Sequence, residues 1–377
     1  MMSGQSGHGG NMTELAARLD CASEDLLDFS ANINPLGPPD YLWNILAARM
    51  PDIVHYPDPE ATELIHAIAE QYRLQTEQIV VGNGTSDLLY ATLRALVVDR
   101  IKRAVILVPA YIDYRHACAQ AGVEITALPL SAQDGFQPDL EQLSDYVRPD
   151  DLVILGQPNN PTGRMNDREE LLRLADQHPD VLFLLDEAFA GFVDGYTSLA
   201  GCRDNIITLC SLTKLFAIPG LRLGFLAASE TICRRINQQV APWSVNSLAQ
   251  AVGAAMIGDV EYVTESRELV SRNRCWLQRE LGQILSLQVV EGTADFILVQ
   301  LVDTMIGQLT AAELADRLLH EAKIAIRVCE NYEGLDEKYF RVAVRGQEEN
   351  RRLVTALRTV LEPAGSKSGN PKPGGKK

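Results

Sequence analysis

Residues 211–224 of the chain read SLTKLFAIPGLRLG. This stretch places Lys214 next to two hydroxyl side chains, Ser211 and Thr213, and a glycine-containing turn follows it. The turn ends at Arg222, whose guanidinium fork suits the oxygens of a phosphate group. A lysine held beside such a group can form a Schiff base with an aldehyde. The stretch therefore indicates a pyridoxal phosphate site, and a solvated lysine beside a helix start is the alternative on these residues alone.

Two apolar segments upstream predict buried strands that end in polar residues. Residues 153–155 lead into a turn rich in Asn, Pro and Gly that contains Asn160. Residues 181–185 are apolar throughout and end on Asp186. Such continuous runs favour a parallel sheet covered on both faces, where ligands bind beyond the carboxyl ends of the strands. A carboxylate there can pair with a protonated pyridine nitrogen, and Asn160 can donate to the ring's phenolic oxygen or cap its own turn.

A glycine turn at residues 82–86 follows the strand predicted over residues 79–81. The turn leads into a helix, whose N-terminal amide groups attract a phosphate. Gly84, Thr85 and Ser86 are therefore expected at the phosphate end of the same site.

In this order the motifs resemble those of the fold-type I pyridoxal phosphate enzymes, the aspartate aminotransferase superfamily. The resemblance covers nearly all of the chain up to about Glu362, and it rests on Gly84, Thr85, Ser86, Tyr111, Asn160, Asp186, Lys214 and Arg222. It implies an aspartate-aminotransferase-like α/β fold. A large domain with a mixed, mainly parallel seven-stranded sheet would be joined to a small α+β domain.

The resemblance also implies a role for each matching residue. Lys214 would carry the cofactor covalently, and Asp186 would pair with the pyridine nitrogen. Asn160 would bind the phenolic oxygen, and Tyr111 would stack on the ring. The residues implied for the phosphate are Gly84, Thr85, Ser86, Ser211, Thr213 and Arg222.

Two further positions bear on assembly and on the reaction. Tyr56 matches a tyrosine that reaches the phosphate from a partner subunit, which implies a homodimer with shared active sites; a loop tyrosine that packs locally is the alternative. Phe189 stands where many relatives carry a tyrosine that donates to the phenolic oxygen. Its lack of a hydroxyl weakens the case for an ordinary aminotransferase and leaves more of this binding to Asn160.

Composition sets the outer limits. With 377 residues the chain exceeds the size at which one core stops growing, so more than one domain is expected. The net charge of −16 argues against nucleic acid and anionic membranes as partners. Seven scattered cysteines without a Cys-x-x-Cys pair predict reduced thiols in the cytoplasm, with no disulfide framework and no metal site. No apolar run approaches the ~20 residues of a membrane helix.

The pattern of apolar segments predicts the domain organisation. Residues 1–45 are expected to join the small domain, and the seven strands expected between Ile79 and Ala228 place the large, cofactor-binding domain at 46–260. A long helix over 259–285 would lead into the small domain at 261–362. Its strands are expected at Phe296 to Leu301, Ile324 to Val328 and Tyr339 to Val344. The Gly-, Pro- and Lys-rich residues 363–377 are expected to be disordered.

The substrate is predicted from a second resemblance. The segments at 8–11 (HGGN) and 28–37 (DFSANINPLG) are similar to those of the threonine-phosphate decarboxylases of cobalamin biosynthesis. A small phosphorylated amino acid brings a phosphate and a carboxylate, so at least two cationic donors are needed. The residues that the resemblance implies for substrate binding are His8, Asn32, Arg327 and Arg341. A surface ion pair is the alternative for each arginine, and a disordered terminus is the alternative for His8.

Three functions stay open at this point. The first is decarboxylation of threonine phosphate, with serine phosphate as a variant because the two differ by one methyl group. The second is a histidinol-phosphate type of aminotransferase. The third is a non-catalytic pyridoxal phosphate sensor or regulator, which the intact Lys214 disfavours.

Overall fold

The structure is a computed structural model that describes residues 9–97, 101–302 and 309–362. His8 and the tail predicted at 363–377 lie outside the described residues. The helices are α1 (Met12–Leu19), α2 (Leu42–Arg49), α3 (Thr62–Tyr72), α4 (Thr85–Val97), α5 (Ile112–Ala121), α6 (Leu140–Tyr146), α7 (Arg168–Gln177), α8 (Leu212–Leu215), α9 (Glu230–Asn237), α10 (Ser247–Met256), α11 (Val260–Gly282), α12 (Ala311–Ala322) and α13 (Gln347–Leu361). The strands are β1 (Leu27–Asp28), β2 (Ile79–Gly82), β3 (Arg103–Val108), β4 (Glu124–Pro129), β5 (Asp151–Gly156), β6 (Leu182–Asp186), β7 (Ile206–Ser211), β8 (Gly224–Ala227), β9 (Leu287–Val289), β10 (Phe296–Leu301), β11 (Ile324–Ala325), β12 (Arg327–Val328) and β13 (Tyr339–Ala343).

The largest sheet contains seven strands in the order β2-β8-β7-β6-β5-β3-β4. Strands β3 to β7 pair in parallel, and β8 runs antiparallel between β2 and β7. The carboxyl ends of β2, β5, β6 and β7 therefore lie at one edge. The expectation of a mixed, mainly parallel sheet is confirmed.

Helices cover both faces of this sheet, as the continuous apolar strands predict. In β5, Leu152 and Ile154 pack in the core beneath α4 and α5, while Val153 and Leu155 pack in the core beneath α6 and α7. Because side chains alternate along a strand, each strand contributes to two cores. Burying each of these side chains stabilises the fold by roughly 1.5–3 kcal/mol.

A second sheet has the order β12-β13-β10-β9 and is antiparallel. One difference from the expected strands is informative. The run from Ile324 to Val328 forms two short strands, because the chain changes partner at Ile326. β11 pairs in parallel with β1, whereas β12 pairs with β13. This change brings the N-terminal segment beside the second sheet and places Arg327 opposite Arg341.

The N-terminal region contacts both cores. Leu27 and Phe29 pack among the apolar residues of the second sheet. Tyr41 and Leu42 instead pack with α3 and α10, on the first sheet's side. The domain limits at 46–260 and 261–362 remain predictions, although the contacts of Tyr41 and Leu42 favour an earlier start for the large unit.

The long helix expected over 259–285 is α11, which begins at Val260 and ends at Gly282. Asp259 caps it by accepting a hydrogen bond from the backbone N–H of Tyr262. Across the described parts of the chain, no helix combines the length and the apolar character needed to cross a membrane.

Candidate active site

A cavity of about 370 Å³ opens at the edge where β2, β5, β6 and β7 end. It brings together most residues singled out from the sequence, from eight separate parts of the chain. Those that line it are Asn32, Gly84, Thr85, Ser86, Tyr111, Asn160, Asp186, Ser211, Thr213, Lys214, Arg222, Arg327 and Arg341. Tyr56 does not line it, and His8 is outside the described ranges.

One end of the cavity is built for an anion. Gly84 has a φ of +83°, and a Cβ atom there would lie 2.6 Å from Nη2 of Arg222. Only glycine lets the arginine approach the start of α4 this closely. The hydroxyls of Ser211 and Thr213 lie 2.8 Å apart beside the same helix end. Arginine, hydroxyls and helix N–H groups together form a phosphate-binding set.

Asp186 lies at the carboxyl end of β6 on the opposite side of the cavity. It accepts hydrogen bonds from the Tyr114 hydroxyl at 2.8 Å and from the Ala188 backbone N–H at 3.0 Å. Burial raises the pKa of Asp186, and these donors together with the charge of Lys214 oppose the rise. A cationic ring nitrogen placed beside this carboxylate would stabilise its ionised form.

Lys214 lies in the last turn of the short helix that follows β7. Burial lowers the pKa of its amine, and the positive charges of Arg341 and Arg222 lower it further. Asp295 and Asp186 oppose this shift. A lower pKa increases the neutral fraction of the amine, which is the form that attacks an aldehyde.

Asn160 is held by a buried hydrogen-bond network. Its side-chain carbonyl accepts from Nη1 of Arg341 at 2.6 Å and from the Tyr332 hydroxyl at 3.2 Å. The second fork nitrogen of Arg341 donates to the backbone carbonyl of Ser30 at 3.0 Å. Because the Asn160 carbonyl is occupied, its amide N–H groups are the ones available to an oxygen in the cavity.

Two buried arginines face each other across neighbouring strands. Arg327 and Arg341 are direct partners in the antiparallel pairing of β12 with β13. Both are buried, with exposed fractions of 8% and 5%. Like charges directly opposite each other in a sheet repel, so this arrangement favours the binding of anions beside the pair. Asn32 is buried nearby, and its side-chain carbonyl has no hydrogen-bond partner among the described residues.

These residues fit pyridoxal phosphate. The cavity has a phosphate cradle around Gly84, a half-buried carboxylate at Asp186 and a half-buried primary amine at Lys214. Tyr111 lines the wall between them, and its hydroxyl donates to Asp113 at 2.7 Å. The three chemical groups of the cofactor, namely phosphate, pyridine nitrogen and aldehyde, thus each meet a complementary side chain.

The structure adds residues that the sequence analysis missed. Tyr114 lies one helical turn after Tyr111, and its hydroxyl contacts Asp186. This spacing places both tyrosines on the same side of a helix, so it could have indicated Tyr114 as a site residue. Tyr332 and Asp113 also line the cavity. Tyr332 lies in the segment between β12 and β13, and its contact with Asn160 spans 172 residues of sequence. No local pattern indicates such a contact.

Phe189 lines the cavity where a tyrosine was noted as common in relatives. Its ring packs edge-on against Phe296 at 4.9 Å between centroids. Tyr56 lies elsewhere, with 80% of its surface exposed, and stacks on Trp243 at 4.7 Å. Within a single chain Tyr56 therefore makes no contribution to the cavity.

The chain is similar in sequence and in structure to known proteins. The sequence profile described as aminotransferase class I and II matches residues 24–357. The chain is 36% identical over 359 residues to the adenosylcobalamin biosynthesis bifunctional protein CobDQ of Leptospira interrogans, covering 94% of this chain but only 41% of that protein. It is 37% identical over 363 residues to threonine-phosphate decarboxylase of Salmonella typhimurium, covering 94% of this chain and 97% of the relative.

A solved structure extends the comparison. Histidinol-phosphate aminotransferase from Clostridium acetobutylicum superposes with a TM-score of 0.82 at 28% identity, covering 89% of this chain and 99% of that one. The aspartate-aminotransferase-like fold and pyridoxal phosphate as the cofactor are thereby confirmed. The chain belongs to the class I and II aminotransferase family.

Proposed function

We propose that this enzyme decarboxylates L-threonine O-3-phosphate to (R)-1-amino-2-propanol O-2-phosphate and carbon dioxide, as a step of cobalamin biosynthesis. The similarity to the decarboxylase of Salmonella typhimurium over nearly the full length of both chains supports this reaction. In the reaction the Cα–carboxylate bond breaks, carbon dioxide leaves, and Cα gains a proton. The seven cysteines, which form no disulfide within the described ranges, fit a cytoplasmic location.

The observation that carries the proposal is the facing pair of buried arginines. A phosphorylated amino acid brings two anionic groups, and Arg327 and Arg341 offer one cationic fork for each. The cost of placing two cations side by side is offset when both anions bind. An amino acid without a phosphate would offer an anionic group to only one of the two arginines.

The two arginines differ in their relation to Lys214, the predicted cofactor-binding residue. Arg341 is close enough to lower the pKa of Lys214 and bonds to Asn160, so we assign the substrate carboxylate to it. Arg327 is held by the side chain of Asn331 at 2.8 Å, toward the N-terminal segment. We assign the phosphate to Arg327, with Asn32 beside it and His8 as a further donor.

Substrate orientation then follows from these contacts. When bound, pyridoxal phosphate supplies an electron sink for the bond that breaks at Cα. Arg341 sets where the carboxylate points, while Arg327 fixes the far end of the molecule. Binding energy from the unreactive phosphate is thereby used to orient the reacting bond. Lys214 is the side chain placed to deliver a proton to Cα afterwards, and its lowered pKa makes its ammonium form a stronger acid for that step.

A phosphorylated-substrate aminotransferase is the second candidate. The structural similarity to histidinol-phosphate aminotransferase favours it, because that enzyme's name also specifies a phosphorylated substrate. Phe189 favours the decarboxylase, since it offers no hydroxyl to the phenolic oxygen. Serine phosphate is a further substrate to test, because one methyl group discriminates by only ~1–3 kcal/mol in a pocket.

The test compares two products from the purified enzyme. Carbon dioxide release is measured with threonine phosphate and with serine phosphate, and keto-acid exchange is measured with histidinol phosphate and 2-oxoglutarate. We expect rapid carbon dioxide release from threonine phosphate and little from unphosphorylated threonine. Sustained amino transfer from histidinol phosphate, with no carbon dioxide from threonine phosphate, would establish the aminotransferase instead.

Arg327→Ala should lower kcat/KM for threonine phosphate by on the order of 100-fold, because one anion loses a charge-assisted partner. Steady-state kinetics with threonine phosphate and threonine measures the effect. The phosphorylated substrate should lose much more than the unphosphorylated one. Arg345→Ala is the matched control, since Arg345 pairs with Glu349 at 2.8 Å and does not line the cavity. Equal losses for both substrates would contradict the phosphate assignment.

We also propose that the enzyme is a homodimer with shared active sites. Several large apolar side chains are exposed around Tyr56, namely Trp43, Met50, Ile53, Val54 and Trp243. Exposed apolar groups clustered in this way are typical of a protein interface. A partner surface placed there would bury them and bring Tyr56 toward the other subunit's phosphate cradle.

Mixing two inactive variants tests this sharing. Tyr56→Ala and Lys214→Ala chains should each be impaired alone. After unfolding and refolding together, the mixed dimer contains one site with a native lysine from one chain and a native tyrosine from the other. Activity should return to about one quarter of the native value for random pairing of chains. No recovery in a mixture shown to contain mixed dimers would mean that Tyr56 serves its own chain or none.

A further inference from the structure

Asp295 is a buried carboxylate that the described residues leave without a hydrogen-bond partner. It directly precedes β10, its exposed fraction is 0%, and neither side-chain oxygen accepts a hydrogen bond from another described residue. Only its backbone is engaged, since its carbonyl accepts from the N–H of Val344 at 2.7 Å. The residues on either side, Ala294 and Phe296, pack in an apolar cluster with Phe189. A carboxylate in such surroundings costs stability.

The nearby Arg274 does not offset this cost, because it makes no hydrogen bond to the Asp295 carboxylate. Arg274 of α11 donates to the backbone carbonyls of Thr293 and Ala294, at 2.7 and 3.4 Å, instead of to the Asp295 carboxylate. The fold therefore provides no pairing that would explain the acid. An asparagine or an apolar residue would meet the packing requirement at lower cost.

The charges that act on Asp295 come from the active site. Those of Lys214 and Arg341 favour its ionised form, and its own backbone N–H and Arg274 add smaller contributions. The effect is mutual, because Asp295 opposes the fall in the pKa of Lys214 more strongly than Asp186 does. The geometry agrees, because the ring of the adjacent Phe296 lies 5.0 Å from the Arg341 guanidinium and packs in a cluster with Leu215, the residue after Lys214. In its ionised form Asp295 is therefore a counter-charge to these two cations.

We propose that Asp295 is a positioning residue that supplies the buried counter-charge for Lys214 and Arg341 and so sets the protonation of the Lys214 nitrogen. It touches neither substrate nor cofactor and acts through these two cations. The proposal rests on Lys214 as the cofactor-binding lysine and adds a residue that tunes it.

The test is a spectroscopic titration of the full-length enzyme with its cofactor bound. The absorption of the lysine-bound cofactor reports whether the Lys214 nitrogen is protonated, and it is followed against pH in the native protein and in Asp295→Asn. Removing the negative charge disfavours the protonated form, so the midpoint should move to lower pH by on the order of one pH unit. An unchanged midpoint would overturn the proposal.

Glu187→Gln is the matched control for this titration. Glu187 is also a buried acid, but it does not line the cavity, and its carboxylate accepts from Tyr196, Ser198 and Leu199. Its midpoint should stay close to that of the native protein. A shift of equal size in both variants would mean that the midpoint responds to the loss of any buried acid near the site, which would also overturn the specific role of Asp295.

A second measurement needs neither cofactor nor substrate, so its failure is distinct from a failure of the proposed function. Burial raises the pKa of Asp295 from its usual 3.8 to about 7. Between these values the folded chain holds a proton that the unfolded chain has released. The stabilising contribution is therefore present at low pH and is lost as the pH rises toward about 7.

Chemical denaturation of the cofactor-free chain across this pH range should show a larger loss in the native protein than in Asp295→Asn, because Asp186 and Glu187, whose pKa values burial also raises, titrate in both proteins. Parallel profiles for the two proteins would contradict the raised pKa. A purely structural role would shift the stability of the variant at all pH values and leave the spectroscopic midpoint unmoved. Should Asp295→Asn fail to fold, Asp295→Ser provides the same neutral substitution with room for a water molecule.

Discussion

Lys214→Ala is expected to eliminate both turnover and the absorption of the lysine-bound cofactor. Lys214 is half-buried, has a lowered pKa, and lines the same cavity as the phosphate cradle and Asp186. Alanine removes the nitrogen that would bond to the aldehyde, and no other lysine lines the cavity in the described part of the chain. The spectrum of the dialysed protein and carbon dioxide release from threonine phosphate measure the two losses.

Lys102→Ala is the matched control for this substitution. Lys102 is an exposed lysine in the segment that leads into β3, so it should keep the native spectrum and rate. Mass spectrometry of the borohydride-reduced native enzyme should place the cofactor mass on the peptide that contains Lys214. Its recovery on a different lysine, or native activity in Lys214→Ala, would remove the basis for the whole site assignment.

The large sheet could be predicted because its strands carry a strong signal. A strand such as β5 is buried on both faces, and its unbroken apolar run differs from the alternating pattern of a half-exposed strand. The site residues lie at or just after the carboxyl ends of such strands. Because these ends lie at one edge of a parallel sheet, the strand pattern predicts that the residues come together. Asp186 and Ser211 are the last residues of β6 and β7. Position in the chain and position in space are closely linked there.

The second sheet was harder to predict, because its pairing depends on distant partners. The residues from Ile324 to Val328 form one uninterrupted pattern in the sequence, yet the chain passes from β1 to β13 as its neighbour. Nothing local marks the change at Ile326. The facing of Arg327 and Arg341 follows from that change, so sequence could suggest each arginine but not their direct pairing.

The sequence analysis missed Tyr332 and Asp295 for the same physical reason. Tyr332 reaches Asn160 from a segment without regular structure, and the contact depends on how the two sheets pack. Asp295 is one acid at the start of an apolar strand, where a solvent-exposed strand end is the ordinary interpretation. Its complete burial follows from the packing of Phe189 and Phe296 around it. Tertiary packing decides both cases.

Asp186→Asn is expected to fold and to lose on the order of 100-fold or more in kcat, since a half-buried charge aimed at the reacting system is removed. The carboxylate stabilises a positive charge on the pyridine nitrogen, and a neutral amide does so poorly. The amide oxygen can keep the hydrogen bond from the Ala188 backbone N–H, and the amide nitrogen can donate to the Tyr114 hydroxyl oxygen, so the local structure is retained. Single-turnover rates with saturating threonine phosphate separate this loss from weaker binding of cofactor or substrate.

Glu187→Gln is the matched control, because it changes the neighbouring buried acid without entering the cavity. Glu187 accepts from the hydroxyls of Tyr196 and Ser198 and from the backbone N–H of Leu199, on the side away from the cofactor site. Its substitution should lower the Tm, since it disturbs three buried hydrogen bonds, and it should leave kcat nearly unchanged. Comparable kcat values for Asp186→Asn and the native enzyme would mean that the reaction proceeds without a protonated ring nitrogen. The role of Asp186 would then be limited to the packing and hydrogen bonding of Tyr114 at the floor of the site.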